Sequence, residues 1–89
     1  MPECYPISRI IGNKITYYRK MKGMSLHDLA KIIGVSEQQQ SRYERGVNRI
    51  NLDRLNQYAT FFETELIHFF NFSNEEKMKI TETYSLMYK

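Results

Sequence analysis

An all-α fold is what this 89-residue chain predicts, and three observations carry the prediction. Apolar residues return at steps of three and four along most of the chain, the spacing of one helix face. From residue 25 onward, a serine, threonine or asparagine stands ahead of each such stretch, where a helix N-terminus needs an acceptor for its free N–H groups. No stretch alternates apolar and polar residues as a half-buried strand does. The expectation is five helices followed by an additional C-terminal helix. They belong to one domain, because a chain this short has no room for two independent cores.

Residues 1–6, MPECYP, hold both prolines and are expected as a short irregular N-terminal arm. The first helix turns on Ile7, Ile11, Ile15 and Tyr18 and stops near Gly23. Ser25 caps the second, with Asp28 at the capping-box position and Leu26, Leu29, Ala30 and Ile33 on the apolar face. Gly34 fits the left-handed residue that ends many helices. Only Val35 separates it from the next cap, Ser36, and a short Gly-containing turn between two short helices is a helix-turn-helix signature. The third helix spans 37–45 and stops at Gly46. Asn51 caps the fourth, whose face carries Leu52, Leu55, Ala59 and Phe62 with Tyr58 beside them. Thr64 opens a short fifth helix containing Leu66, Phe69 and Phe70. Residues 7–72 thus form the main domain. Ser73 and Glu76 form a capping box for the C-terminal helix within 73–89.

Composition excludes several function classes. Cys4 is the only cysteine, and His27 and His68 are the only histidines, too few and too far apart for a metal site. No metal or other cofactor is expected. Ser41 has no activating histidine or carboxylate in a recognisable relation to it, and Glu75, Glu76 and Glu82 read as a solvated helix face, so no enzymatic activity is expected. No apolar run approaches the ~20 residues of a membrane span and the N-terminus lacks a signal-peptide core, which points to the cytoplasm. Residues 1–54 carry ten basic against five acidic side chains, +5, while residues 55–89 carry three against five, −2. That asymmetry fits either a polyanion partner for the N-terminal part or an uneven solvated surface.

Residues 37–45 sharpen the choice. On a helix, Gln38, Ser41, Arg42 and Arg45 fall at i, i+3, i+4 and i+7 and share one face without a large apolar residue, while Tyr43 points toward the domain. Glutamine can give adenine two hydrogen bonds and arginine can do the same for guanine. Long amides at the start of such a helix, Gln38-Gln39-Gln40, suit contact with base edges in the major groove.

The stretch MSLHDLAKIIGVSEQQQSRYERG, residues 24–46, resembles the helix-turn-helix of the phage Cro/C1-repressor type, also called Xre. The shared features are a cap, Leu-Ala, a Gly-Val-Ser turn, and a polar helix ending in an aromatic, Glu, any residue and Gly. Residues 11–70 cover essentially the whole family fold, so the resemblance implies a five-helix lambda-repressor-like DNA-binding domain acting in transcription regulation. More narrowly, SEQQQSRYERG is similar to the S-Q-Q-Q-F-S-R-Y-E-R-G stretch of small MrpJ-type regulators encoded with fimbrial operons. That similarity implies control of fimbrial or flagellar (motility) genes.

Carried over residue by residue, Gln38 and Arg42 take base-contact positions, with Gln39 and Ser41 as auxiliary contacts. Arg45 extends the same face. Ser25 and Ser36 place helix N-termini toward phosphates. Asn48 and Arg49 lie in the loop that holds the DNA backbone. Arg19 and Glu44 match a pair linking the first helix to the recognition helix. Two positions depart from the family. Gln40 stands where an apolar residue is usual, which implies looser packing or a buried partner for its amide. Leu26 stands where many members carry a phosphate-contacting glutamine.

Repressors of this type usually bind as two-fold pairs, which implies a homodimer on a pseudo-palindromic operator in double-stranded DNA. Met78, Tyr84, Met87 and Tyr88 of the C-terminal helix are the candidate dimerisation residues, the alternative being that this helix completes its own domain's core. No small-molecule ligand or membrane partner is expected. The rival function class is a protein-interaction module of the same fold, such as an antitoxin, which would lack both sequence preference and a steep salt dependence of DNA binding.

Overall fold

The computed structural model describes residues 5–87, without the side chain of Met87. Residues 1–4 of the expected arm, Tyr88 of the expected dimer face and the Met87 side chain therefore lie outside the described residues. Five α-helices and one 3₁₀ helix follow in order: α1 (Pro6–Met21), α2 (Leu26–Ile33), α3 (Glu37–Arg45), α4 (Leu52–Phe61), the 3₁₀ helix Leu66–Phe70, and α5 (Asn74–Met87). The described residues contain no strand.

Local chemistry explains most of the boundaries. Pro6, expected in the arm, is instead the first residue of α1. Its missing N–H removes one donor that a first helical turn leaves unsatisfied anyway, and its ring presets a helical φ. Ser25 Oγ accepts from the Asp28 N–H at 3.0 Å and Asp28 Oδ2 accepts from the Ser25 N–H at 3.1 Å, closing the capping box of α2. Those bonds from Ser25 hold the Asp28 carboxyl below its ordinary value. Asn51 caps α4 through Arg54 N–H at 2.7 Å. Ser73 and Glu76 exchange bonds of 3.1 and 2.7 Å at the start of α5.

The core joins Ile11 and Ile15 of α1, Leu29 and Ile33 of α2, Tyr43 of α3, Leu55, Tyr58 and Ala59 of α4, and Phe62 and Phe69 beyond it. Tyr18, Phe62 and Tyr58 run through it as successive stacked rings, with centroids 5.2 and 6.4 Å apart. Two expectations fail here. Leu52, placed on the buried face of α4, is 66% exposed, so among the described residues the first turn of that face is left open. The fifth helix is 3₁₀ rather than α, and Thr64 does not cap it: its hydroxyl meets the His68 ring at 2.9 Å instead. Phe70 is 39% exposed although Phe69 beside it is fully buried.

Helix α5 returns across α1. Glu76, Ile80, Thr83 and Tyr84 are its half-buried positions, the i, i+4, i+7, i+8 stripe of a helix lying on a neighbour. The expected dimer face therefore splits. Tyr84 lies on this half-buried stripe, whereas Met78 is 64% exposed. Lys14 of α1 fastens the intervening strap by donating to Asn71 O at 2.8 Å, its ammonium 5.2 Å from the Phe72 ring centroid.

Helix α1 meets α3 more closely than side chains normally allow. A Cβ built on Gly12 would stand 2.4 Å from Tyr43 O and 2.6 Å from Glu44 O. These are backbone atoms of a short helix, so the clash is not relieved by a rotamer change. Gly12→Ala should therefore displace α3 and destabilise the domain by about 1–3 kcal/mol, the usual penalty for overpacking. Urea unfolding of the variant against the parent checks this, and an unchanged midpoint would refute the close approach.

Candidate nucleic-acid interface

The turn before α3 and its first residues set where its side chains point. Gly34 takes the left-handed φ of 90° that ends α2, and Ser36 begins α3 by accepting from the Gln39 N–H at 3.0 Å. At the other end Gly46 has φ 73°, and a Cβ there would meet Arg9 Cα at 2.5 Å. Only glycine satisfies both the φ and the space. Arg9 of α1 then donates to the Arg45 carbonyl at 2.9 Å, filling an acceptor that the last turn leaves open.

Helix α3 contains no Leu, Ile, Val or Met, yet one side of it is buried. Gln40 is completely buried, Tyr43 and Glu44 nearly so. The Glu44 carboxylate is the centre of a polar cluster. Its Oε1 accepts from Thr16 Oγ1 at 2.8 Å and Arg19 Nη2 at 3.0 Å. Its Oε2 accepts from Arg19 Nε at 2.8 Å and Gln40 Nε2 at 2.8 Å. The pairing expected between Arg19 and Glu44 is thus present, and it is two-pronged. The remaining Arg19 nitrogen, Nη1, donates to Met24 O at 2.8 Å.

Gln40 finds a buried partner rather than loosening the packing. A carboxylate only accepts, so the Gln40 NH₂ faces Glu44 and its carbonyl faces away. Tyr58 of α4 donates its hydroxyl to that carbonyl. Burial, reinforced by Tyr43 and Glu44, pushes the Tyr58 phenol well above its ordinary range, so it remains a neutral donor. No buried side-chain nitrogen or oxygen among the described residues lacks a partner.

The opposite side of α3 faces solvent. Gln38, Arg42 and Arg45 are exposed and Ser41 is half-buried between them, with Arg45 Nε donating to Ser41 Oγ at 3.3 Å. Gln39 is half-buried and accepts from Asn48 Nδ2 at 3.0 Å, so these two fix the following loop as well as standing beside the face. Arg49 is exposed, and its guanidinium lies 4.0 Å from the Tyr5 ring centroid, a cation–π contact that restrains it. Ser25 and Ser36 are exposed at their caps. Leu26 is half-buried. Among the described residues no group of acidic, His or Cys side chains has the arrangement to hold a metal ion. No helix there is long and apolar enough to cross a membrane.

Several supports were not visible in the sequence. Thr16 and Tyr58 complete the Glu44 cluster, and Arg54 and Gln57 of α4 donate to Ile33 O at 3.0 and 3.3 Å, closing the end of α2. Tyr58 left one usable signal: a tyrosine on an apolar stripe needs a hydrogen-bond partner for its hydroxyl.

The helix-turn-helix family model HTH_3 matches residues 15–69. An uncharacterized HTH-type transcriptional regulator of Rickettsia conorii is 39% identical over 64 residues, spanning 72% of this chain and 51% of that protein. Another, from Sinorhizobium fredii, is 38% identical over 60 residues, spanning 67% of this chain and 42% of its own length. The chain spans about half the length, or somewhat less, of the curated relatives it matches. Among solved structures, the clp gene regulator ClgR of Corynebacterium glutamicum superposes with a TM-score of 0.69 over 97% of this chain and 87% of that one, at 20% identity. An HTH_3 family transcriptional regulator of Vibrio cholerae gives 0.64 over 81% of this chain and 39% of its own, at 28% identity.

The Arg19 and Glu44 side chains are 12% and 6% exposed. Removing either leaves the other's charge buried without its partner, which typically costs about 3–5 kcal/mol, whereas an apolar replacement of both is far milder. Arg19→Met and Glu44→Leu should each destabilise strongly, and the double variant should lose less than their sum. A double-mutant cycle from denaturant unfolding measures the difference, and strict additivity would rule out the coupling.

Proposed function

The chain belongs to the helix-turn-helix family, and from that premise we propose that it is a sequence-specific DNA-binding regulator of transcription which reads the major groove with α3. The observation that carries the reading is the two-sidedness of α3. Its inner side is hydrogen-bonded into the domain, and its outer side presents Gln38, Ser41, Arg42 and Arg45 to solvent. Gln38 and Arg42 are the base readers in this proposal, an amide for adenine and a guanidinium for guanine. Arg49 and Asn48, with the capped N-termini at Ser25 and Ser36, hold phosphates and set the register. The relatives, themselves HTH-type transcriptional regulators by description, support the same reading.

Two finer proposals follow. A helix of nine residues makes few base contacts, so specific binding gains from a second copy on a pseudo-palindromic operator. Met78 and Leu86 on α5, 64% and 72% exposed, support a homodimer contact on that helix. The run SEQQQSRYERG supports control of fimbrial or flagellar genes, which genome-wide mapping of bound sites tests directly.

Gln38→Ala and Arg42→Ala should each leave the fold intact and cost about 1–3 kcal/mol of discrimination at one base position. Arg49→Ala should weaken binding to all duplexes alike and lower the salt slope by about 0.9, the share of one neutralised phosphate. Binding titrations on matched and single-substituted duplexes over a range of salt separate these effects. A parent protein with neither sequence preference nor salt dependence would favour the protein-interaction reading instead.

Sedimentation of the full chain should give a dimer at concentrations where it binds its operator, and Met78→Glu should shift it toward monomer with weaker operator binding. A monomeric parent at those concentrations would reduce α5 to a cover for its own domain.

A further inference from the structure

The site that reads DNA in the proposed function and the residues that aim it are different. Gln40 lies between the exposed reader Gln38 and the exposed reader Arg42 but is itself completely buried. It contacts two other buried groups. Its Nε2 donates to Glu44 Oε2 at 2.8 Å, and its carbonyl accepts from Tyr58 on α4. Tyr58 is 0% exposed, and its ring meets that of Tyr43 edge-on, with centroids 6.4 Å apart. A chain of hydrogen bonds therefore runs from α4 through α3 to Thr16 and Arg19 on α1.

Stability does not explain this arrangement. A fully satisfied buried polar cluster is about neutral against well-packed apolar residues of similar volume. What differs is direction. Apolar contact is non-directional, so a helix resting on an apolar side chain at position 40 can roll or tilt slightly at little cost. A hydrogen bond weakens steeply off its line, so two of them anchored on separate helices oppose such movement. Helix α3 is only nine residues long and has no aliphatic stripe to set its roll otherwise. Two-point contact with a base edge needs placement within roughly 0.5 Å.

We propose that Gln40 and Tyr58 are specificity-determining positioning residues, which fix the roll and tilt of α3 and so the aim of Gln38 and Arg42 without themselves touching DNA. This rests on the DNA-reading function proposed above. The test is the double variant Gln40→Met, Tyr58→Phe, which removes both ends of the buried bond while keeping side-chain volume. Glu44 keeps its bonds from Thr16 and Arg19.

Three measurements are made on the full chain. Urea unfolding should show the double variant still folding cooperatively, its midpoint lowered by no more than the lost Gln40 bond to Glu44 accounts for. Amide exchange in the free protein should quicken across α3 by at least roughly ten-fold relative to α1 and α4, because local opening is released without global loss. Selection from randomised duplexes with the parent, followed by titration of the selected operator and its single-base variants, should show discrimination at the Gln38 and Arg42 positions reduced at least roughly five-fold, the low end of a two-point contact. Affinity for unrelated duplex should be unchanged. Unaltered exchange in α3 overturns the positioning role whatever the DNA result. Full discrimination by the double variant overturns the specificity role. A parent that selects no sequence overturns the DNA-reading function, and with it the specificity claim, while the exchange result still judges the mechanical one. If the double variant does not fold, the near-neutral exchange of polar for apolar is refuted. Tyr58→Phe alone, which retains the ring, then carries the exchange and discrimination measurements.

Discussion

The carboxylate of Glu44 is the constraint on which the rest of the structure depends. Its side chain is 6% exposed and takes four hydrogen bonds, two per oxygen, from Thr16, Arg19 and Gln40. Those donors come from α1 and α3, and through Tyr58 the cluster extends to α4. A carboxylate has about four lone-pair sites, so the cluster is full, and stripping the donors from either oxygen would leave it buried without a partner. Gly12 is the steric counterpart of this electrostatic fact. Its missing side chain allows α1 to approach the Tyr43 and Glu44 carbonyls closely enough for Thr16 and Arg19 to reach the same carboxylate.

Helix α3 would not persist without that support. Isolated helices of nine residues are unstable in water even with favourable sequences. It buries only Gln40, Tyr43 and Glu44, so its attachment is polar and aromatic rather than aliphatic. Its two ends are closed by separate devices: the Ser36 cap at the start, and Gly46 with the Arg9 bond to Arg45 O at the finish. The outer side is thereby released from any structural duty. Gln38 and Arg42 are exposed there, open to the base contacts proposed above, since the fold asks nothing of their side chains.

The sequence was most readable where the determinants are local. Caps at Ser25, Ser36, Asn51 and Ser73 were legible because each acts on an N–H three residues away. The all-α class and the polar outer side of α3 followed from spacing alone. Determinants that depend on a distant neighbour were not legible. Leu52 has the periodicity of a buried residue, but periodicity does not report whether another element covers that turn. Residues 66–70 carry apolar side chains at helical spacing, yet the short span closes as a 3₁₀ helix. The pairing of Gln40 with Tyr58, 18 positions apart, was foreseeable only as two unplaced needs: a glutamine at a core position and a tyrosine hydroxyl on an apolar stripe.

The contrast between the two ends of the candidate interface has the same physical origin. At α3, rigidity comes from buried hydrogen bonds, which are strong because the surroundings exclude water. In the loop after it, Arg49 is held at the surface by the Tyr5 ring and Asn48 by a half-buried bond to Gln39, contacts less enclosed than those at Glu44 and more easily exchanged. Base edges demand a fixed geometry, whereas phosphates attract a cation from a range of positions. A firmly seated helix beside a lightly restrained basic loop matches those two demands. In the DNA-reading function proposed above it also separates their consequences, a change in the seating altering which sequence is preferred and a change in the loop altering how tightly every sequence is held.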